Sequence, residues 1–185
     1  LLYNIMLFLL ALPALALHLL LGLLRGSRRH GLWERFGYYP GRRLAALGGK
    51  EVIWIHAVSV GETQAAAPLV KALRQRFPGH AVVLTNVTET GHGVAKGLAG
   101  VDLCLYFPYD FPWAIERALR QIAPRLVVIV ETEIWPNFLL RAARSEVPIV
   151  LVNGRISDRS FPRYRRLRFF IKPLLERFAH ICMQS

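Results

Sequence analysis

Between residues 51 and 185, six short apolar runs alternate with stretches of helical pattern, and this alternation limits the fold more than any other feature. Each run is apolar on both faces, which is typical of strands in a parallel sheet that helices cover on both sides. The sequence therefore predicts an α/β fold, a Rossmann-like doubly wound parallel sheet. The predicted strands are residues 52–55, 81–84, 103–106, 126–130, 148–152 and 180–183.

A chain of 185 residues has room for one domain, or for one domain plus a small appendage. Hydrophobic residues make up 54% and charged residues 19%, which excludes a disordered chain. Cys104 and Cys182 are the only cysteines, so a disulfide scaffold is excluded, and no Cys/His cluster has the spacing of zinc ligands. Because the chain begins at Leu1 rather than Met and stops at Ser185 just after an apolar run, we expect a fragment at both ends.

Residues 1–24 carry no charge, and only Asn4 and His18 have strongly polar side chains there. A helix of this length, at about 1.5 Å per residue, spans the roughly 30 Å hydrocarbon core of a bilayer. Arginines follow from Arg25 onward, which by the positive-inside rule places the next segment in the cytoplasm. We therefore predict an uncleaved membrane anchor helix, with a shallow monotopic helix as the alternative. A cleaved signal peptide would carry its positive charge before the apolar run.

The net charge of +12 is concentrated in two blocks. Residues 25–50 and residues 155–185 each carry +6, whereas residues 51–154 are neutral overall. The second block interleaves basic with aromatic residues, which fits a solvated helix face, contact with anionic lipid headgroups, or nucleic-acid binding. The predicted anchor favours lipid. The resulting organisation is an anchor over 1–24, a basic, linker-like juxtamembrane segment over 25–50 and a domain over 51–185.

Ligands of a doubly wound sheet bind beyond the carboxyl ends of the strands, which directs attention to the loops after the predicted strands. The first loop contains Ser59, Gly61 and Glu62. Gly61 allows the backbone to approach a ligand closely. Glu62 falls at a helix start, where the helix dipole keeps a carboxylate ionised. Two interpretations are open for Glu62: a helix-capping acid, or a general base that faces a cleft.

Polar residues also follow the fourth and fifth predicted strands. Glu131 and Glu133 come directly after five apolar residues, a costly position unless the acids are paired or used. Helix capping explains Glu133 more readily than Glu131, and we predict a site role for at least one of them. After the fifth strand, Asn153 precedes Arg155 and Arg159, which can hold a phosphate or carboxylate bidentately or belong to a solvated loop.

Six motifs occur in a fixed order along the chain. They are Trp33-Glu-Arg-Phe-Gly37, His56-Ala-Val-Ser-Val-Gly-Glu62, Phe107-Pro-Tyr-Asp110, Glu131-Thr-Glu-Ile-Trp-Pro-Asn137, Asn153-Gly-Arg-Ile-Ser-Asp-Arg-Ser160 and Gln184-Ser185. Together they resemble the N-terminal half of the 3-deoxy-D-manno-octulosonic acid (Kdo) transferases of Gram-negative bacteria. The resemblance covers essentially the whole chain. One departure is Gly154, where many members of that family have Ala.

The resemblance implies the N-terminal, acceptor-side domain of the two-domain GT-B glycosyltransferase fold. It implies transfer of Kdo, with inversion, from CMP-Kdo to a lipid A precursor at the cytoplasmic face of the inner membrane, in lipopolysaccharide core biosynthesis. No essential metal or cofactor is implied. The family's catalytic base matches Glu62, and a second important acid matches Glu131 or Glu133. The donor nucleotide is held mainly by a C-terminal domain that this sequence lacks, so we expect the chain alone to be inactive.

Two other functions are weighed against a glycosyltransferase. One is a non-catalytic, membrane-tethered binding module for anionic lipid or nucleic acid, although the resemblance leads us to expect no nucleic acid. The other is an NAD-dependent enzyme, which the missing G-x-G-x-x-G spacing disfavours.

Overall fold

The computed structural model describes residues 3–10, 13, 31–158 and 160–184. The strands are β1 Val52–His56, β2 Ala81–Asn86, β3 Leu103–Tyr106, β4 Pro124–Val130, β5 Ile149–Gly154 and β6 His180–Met183. The helices are α1 over residues 3–10, α2 Leu32–Arg35, α3 Gly41–Leu44, α4 Val60–Arg76, α5 Glu89–Lys96, α6 Pro112–Ile122, α7 Pro136–Arg144, α8 Phe161–Arg166 and α9 Arg168–Leu175, with a 3₁₀ turn at Ala45–Leu47.

The six strands form one parallel sheet in the order β3-β2-β1-β4-β5-β6. All six predicted strands are therefore confirmed, as is the Rossmann-like doubly wound sheet. The chain first winds outward from β1 to β3 and then returns to the other side of β1 with β4. This reversal leaves a crevice at the carboxyl ends of β1 and β4, which is where such sheets bind ligands.

The core consists of two apolar clusters, one on each face of the sheet. Successive strand residues point to opposite faces, so Trp54 joins the first cluster while Ile53 and Ile55 join the second. Both faces are covered by helices, which explains why the strands are apolar without alternation. The buried indole N–H of Trp54 donates to Thr85 Oγ1 at 2.8 Å, so the largest core side chain leaves no polar atom unpaired.

Residues 31–50, which the charge pattern had assigned to a linker-like segment, pack against the domain from Gly31 onward. Tyr39 and Leu47 belong to the first core cluster. The Tyr39 hydroxyl donates to the carbonyl of Tyr106 on β3 at 3.3 Å. The predicted boundary at residue 51 therefore does not coincide with a break in packing, and residues 25–30 lie outside the described residues.

The Trp33–Gly37 motif fixes this segment to the sheet. Glu34 is buried, pairs with Arg43 and accepts a hydrogen bond from the backbone N–H of Tyr106 at 2.9 Å. Gly37 has a φ of 74°, and a Cβ there would lie 2.3 Å from the carbonyl oxygen of Ala114. Only glycine fits that position, because the backbone is left-handed and the approach to α6 is too close for a side chain.

Of the predicted anchor over residues 1–24, residues 3–10 and 13 are described, and the others lie outside the described residues. Residues 3–10 are helical and contact the domain. The Tyr3 hydroxyl donates to Asp110 at 2.8 Å, and the ring of Phe8 stacks on Phe111 at 5.2 Å. Within the part of the chain that the structure describes, no helix is long and apolar enough to cross a membrane.

The second basic block forms two short helices, α8 and α9, which meet at Leu167, instead of one continuous basic helix. Its basic side chains within the described residues are exposed, whereas Leu174 and Phe178 are buried in the first core cluster. The expected basic face exposed to solvent is therefore present. The apolar residues beneath it that join the core lie only in α9 and directly after it.

Candidate functional site

The loops after β1 and β4 meet at the reversal of the sheet, because these strands are neighbours and run parallel. The first loop leads into α4 and carries Ser59, Gly61 and Glu62. The second leads into α7 and carries Glu131 and Glu133. The structure thus brings together the two acidic segments that the sequence placed after separate strands.

Glu62 caps helix α4 through its own carboxylate. It accepts a hydrogen bond from the backbone N–H of Val58 at 2.6 Å and one from the Ser59 hydroxyl at 2.9 Å. Ser59 is the N-cap, and its Oγ accepts from the N–H of Glu62 at 3.4 Å, which completes a reciprocal arrangement akin to a capping box. Glu62 is only 8% exposed. The capping interpretation is therefore confirmed, and these same contacts hold the carboxylate in one orientation.

Glu133 is electrostatically coupled to the other two acids. Burial raises the pKa of Glu133 to about 7, and the negative charges of Glu62 and Glu131 act in the same direction. Glu133 therefore holds its proton to a higher pH than an ordinary glutamate does. Within the described ranges, no group of three His, Cys, Asp or Glu side chains is arranged to hold a metal ion.

The expectation that Glu133 caps the following helix is wrong, because Asp110 occupies that role. The Asp110 carboxylate accepts from the backbone N–H groups of Asn137 at 3.0 Å and Phe138 at 2.8 Å, in the first turn of α7. Burial raises the pKa of Asp110 to about 6, although these hydrogen bonds act in the opposite direction. Glu133 therefore does not cap α7. Its carboxyl lies close enough to Glu62 for the two charges to interact.

Sequence reasoning missed Asp110 and Asn137 as residues that organise the site. The Asn137 side chain donates to the backbone carbonyl of Asp110 and to Asn4 of α1, so the loops after β3 and β4 are fastened together. The sequence held one indication of this. The N-cap of α7 is Trp135, whose side chain has no acceptor, so the free backbone N–H groups of the first turn need an acceptor from another part of the chain.

The third predicted segment, after β5, lies beside the second. Asn153 has a left-handed φ of 57° and accepts from the Gln184 side chain, and Arg155 is exposed. Arg159 lies outside the described residues. A Cβ at Gly154 would lie 2.6 Å from Met183 Sδ, and this flexible side chain can shift to admit the Ala expected there from the family resemblance.

Gly61 is exposed in the first turn of α4, and a Cβ there would meet no atom within 4 Å. Its backbone does not need glycine, so the space beside it is open to a ligand.

His56 of the same motif has another role. It is fully buried, stacks on Phe107 at 3.7 Å, and burial lowers its pKa to about 3. His56 is therefore neutral at physiological pH, and its ring packs against Phe107.

Comparison with known proteins agrees with these motifs. The family described as 3-deoxy-D-manno-octulosonic-acid transferase (Kdo transferase) matches residues 30–185. The 3-deoxy-D-manno-octulosonic acid transferase of Haemophilus influenzae is 34% identical over 85% of this chain and 36% of its own length. The enzyme of the same name from Bordetella pertussis is 42% identical over 74% of this chain and 33% of its own length. A bifunctional glycosyltransferase/methyltransferase of Fusobacterium nucleatum is 39% identical over 75% of this chain and 22% of its own length.

The chain spans about a third of the length of the two named transferases. The matched residues include all of the sheet and the loops after β1, β4 and β5 at its carboxyl edge. On this evidence the chain belongs to the 3-deoxy-D-manno-octulosonic acid transferase family.

Proposed function

We propose that this chain is the acceptor-binding, N-terminal half of a GT-B glycosyltransferase that transfers Kdo from CMP-Kdo to a lipid A precursor in lipopolysaccharide core biosynthesis. The observation that carries the proposal is the meeting of Glu62, Glu131 and Glu133 at the reversal of a doubly wound sheet, in a chain of the Kdo transferase family. The donor nucleotide is bound mainly by a C-terminal domain outside this sequence.

Glu62 acts as the general base in this proposal. As a hydroxyl oxygen of the acceptor attacks the anomeric carbon of Kdo, Glu62 takes the proton of that hydroxyl. The bond from the anomeric carbon to the phosphate oxygen breaks, CMP leaves with the electron pair, and attack from the opposite side inverts the configuration. The hydrogen bonds from Val58 and Ser59 hold the carboxylate in a single orientation before the acceptor arrives, which is what a positioned base requires.

We assign the second acid to Glu133. Its carboxyl lies near enough to Glu62 for the two charges to interact, and its raised pKa keeps a proton on it for part of the time at neutral pH. In the protonated form Glu133 can donate a hydrogen bond to the acceptor or to Glu62, and it removes the repulsion between adjacent carboxylates. Glu131 contributes negative charge beside this pair.

The remaining predicted residues are assigned to the acceptor. The open space at Gly61 admits the sugar close to Glu62 and Ser59, and the exposed guanidinium of Arg155 is available to a phosphate of the lipid. Asn153 and Arg159 flank Arg155 in sequence, and we assign them to the acceptor as well. A phosphorylated glycolipid matches the combination of a carboxylate base with arginines on the neighbouring loop.

Exposed apolar and aromatic side chains support a location on the inner membrane, at its cytoplasmic face. Leu9 and Leu10 of α1 are each 69% exposed, Trp33 is 70% exposed and Phe169 is 76% exposed. Phe169 lies among the exposed arginines of α8 and α9, a combination suited to anionic headgroups. We propose that these residues rest on the bilayer surface.

A row of stacked aromatic rings connects the parts of this surface. Phe8 of α1 stacks on Phe111 at 5.2 Å, Phe111 on Trp113 at 5.8 Å, and Trp113 on Phe36 at 5.6 Å. Arg117 lies over both Trp113 and Tyr38, and Tyr38 packs edge-on against Trp33 at 6.0 Å. Trp33 and Tyr38 are exposed. Trp and Tyr favour the interface between lipid and water. Sedimentation of the full-length gene product with anionic vesicles, with and without Trp33→Ser, tests this location, and equal binding of both proteins would count against it.

The function is tested by transfer of labelled Kdo. The full-length gene product is incubated with a lipid A precursor and CMP-Kdo that carries a radiolabel in the sugar, and the lipid is then extracted into organic solvent. We expect the label to move into the lipid fraction only when acceptor and enzyme are both present. A protein that binds the vesicles but leaves all the label in the aqueous fraction would be the non-catalytic binding module considered above.

A further inference from the structure

We propose, building on the function proposed above, that Thr132 is a positioning residue that holds Glu133 beside Glu62 by fastening the loop after β4 to the loop after β5. Thr132 stands between the two acids of its loop. Neither the motif analysis nor the family match assigns it a role.

The Thr132 hydroxyl makes two hydrogen bonds with the backbone of one residue. Its Oγ1 accepts from the N–H of Arg155 at 2.9 Å and donates to the carbonyl oxygen of Arg155. The neighbouring residue Glu131 donates its own N–H to the carbonyl of Val152 at 2.9 Å. Three hydrogen bonds thus join the loop after β4 to β5 and the loop that follows it, and two of them depend on a single hydroxyl.

The backbone on both sides of this connection is in an unfavourable conformation. Glu131 has a φ of 64° and Asn153 a φ of 57°, so a non-glycine residue at each of two neighbouring strand ends is left-handed. A residue keeps such a conformation only where contacts with the surrounding structure hold it in place. The bonds of Thr132 are contacts of that kind, since they fix the residue directly after Glu131 to Arg155, two residues after Asn153.

Loss of the hydroxyl releases the segment that carries Glu133. If Glu131 relaxes to an extended conformation, the chain turns in a different direction after β4 and Glu133 moves away from Glu62 on α4. The groups that raise the pKa of Glu133, besides burial, are Glu62 on α4 and Glu131 on its own loop. Separation from Glu62 therefore lowers the pKa of Glu133, a change that a purely structural role for Thr132 would not produce.

The experiment compares Thr132→Val, which keeps the shape and removes the hydroxyl, with Thr132→Ser, which keeps the hydroxyl. Thr90→Val, an exposed position on α5, is the matched control for the same chemical change. In the full-length gene product we expect Thr132→Val to lower kcat by about 10–100-fold, the usual cost of a small misplacement. KM for CMP-Kdo should change little, and Thr132→Ser and Thr90→Val should remain near wild type.

A second readout is the titration of Glu133, followed by carboxyl ¹³C NMR of the full-length gene product labelled at glutamate. Thr132→Val should lower the pKa of Glu133 and move the alkaline limb of the kcat profile to lower pH by the same amount. An unchanged Glu133 titration overturns the inference, as does a kcat equal to that of wild type. If the wild type transfers no Kdo at all, the proposed function fails, and the NMR titration alone still decides the role of Thr132.

Discussion

Replacing Glu62 with Gln keeps the shape of the side chain and removes the charge that a general base needs. A positioned base typically contributes about 10²–10⁴-fold to the rate, or roughly 3–5 kcal/mol of activation free energy. The loss in Glu62→Gln should fall mainly on kcat, because the proton moves only in the transition state. The assay is labelled Kdo transfer by the purified full-length variant at saturating donor and acceptor.

The contacts of Glu62 also determine what the substitution does to stability. The carboxylate accepts one hydrogen bond from Val58 and one from Ser59, whereas an amide has a single oxygen and turns its NH₂ toward the second donor. A hydrogen bond to a charged group contributes about 1.5–3 kcal/mol, more than the roughly 0.3–1 kcal/mol of a helix-dipole interaction. We therefore expect Glu62→Gln to lower the free energy of unfolding by about 1–3 kcal/mol, with Tm falling by about 2–4 °C for each kcal/mol.

Thr88→Ala is the control that separates capping from catalysis. Thr88 is the N-cap of α5, where it accepts from the N–H of Gly91 and donates to the carbonyl of Val58, both at 3.1 Å. Its loss should cost about 1 kcal/mol of stability and disturb the same backbone segment while leaving the carboxylate in place. Thr88→Ala should stay close to wild-type kcat. Activity of Glu62→Gln within about threefold of wild type, a barrier change of only roughly 0.7 kcal/mol, would refute the role of Glu62 as base.

Three further predictions concern other parts of the chain. Burial raises the pKa of Asp110 from 3.8 to about 6, so the stability that its carboxyl contributes is fully present below about pH 4 and is lost as the pH rises through about 6. Asp110→Asn should flatten the dependence of unfolding free energy on pH across that window in urea titrations. Gly37→Ala should destabilise the fold by about 1–3 kcal/mol, because Gly37 is left-handed and crowded. Gly61 is neither, so Gly61→Ala should raise Tm slightly and increase KM for the lipid acceptor. The 185-residue chain by itself should show no Kdo transfer, since in the proposed GT-B fold the site lies between two domains.

The sheet could be predicted from sequence because its signal is local. Each strand is a short run apolar on both faces, and the two-sided core explains that pattern directly. Because doubly wound sheets bind ligands beyond the carboxyl ends of their strands, the loops that contain Glu62, Glu131 and Glu133 could also be selected from sequence. The structure places these loops side by side. Capping by Glu62 was also foreseeable, because Ser59 and Glu62 have the three-residue spacing of a capping box.

The contacts that the sequence did not reveal join residues far apart in the chain. Glu34 reaches the backbone of Tyr106, and Asp110 caps a helix that begins at Pro136. Neither pairing leaves a periodic signal, so residues 31–50 resembled a basic linker and Glu133 resembled a capping residue. The connection from Thr132 to Arg155 was hidden for the same reason, since a threonine between two acids has no distinctive pattern.

Mass spectrometry of the lipid acceptor after reaction is the most direct measurement of whether this chain is part of a Kdo transferase. The full-length gene product is incubated with CMP-Kdo and a lipid A precursor, in parallel with Glu62→Gln. The wild type is expected to convert the lipid to a product heavier by one or more Kdo residues, and Glu62→Gln to leave nearly all of it unmodified in the same time. A wild-type reaction that consumes CMP-Kdo while the lipid keeps its original mass would contradict the proposed transfer.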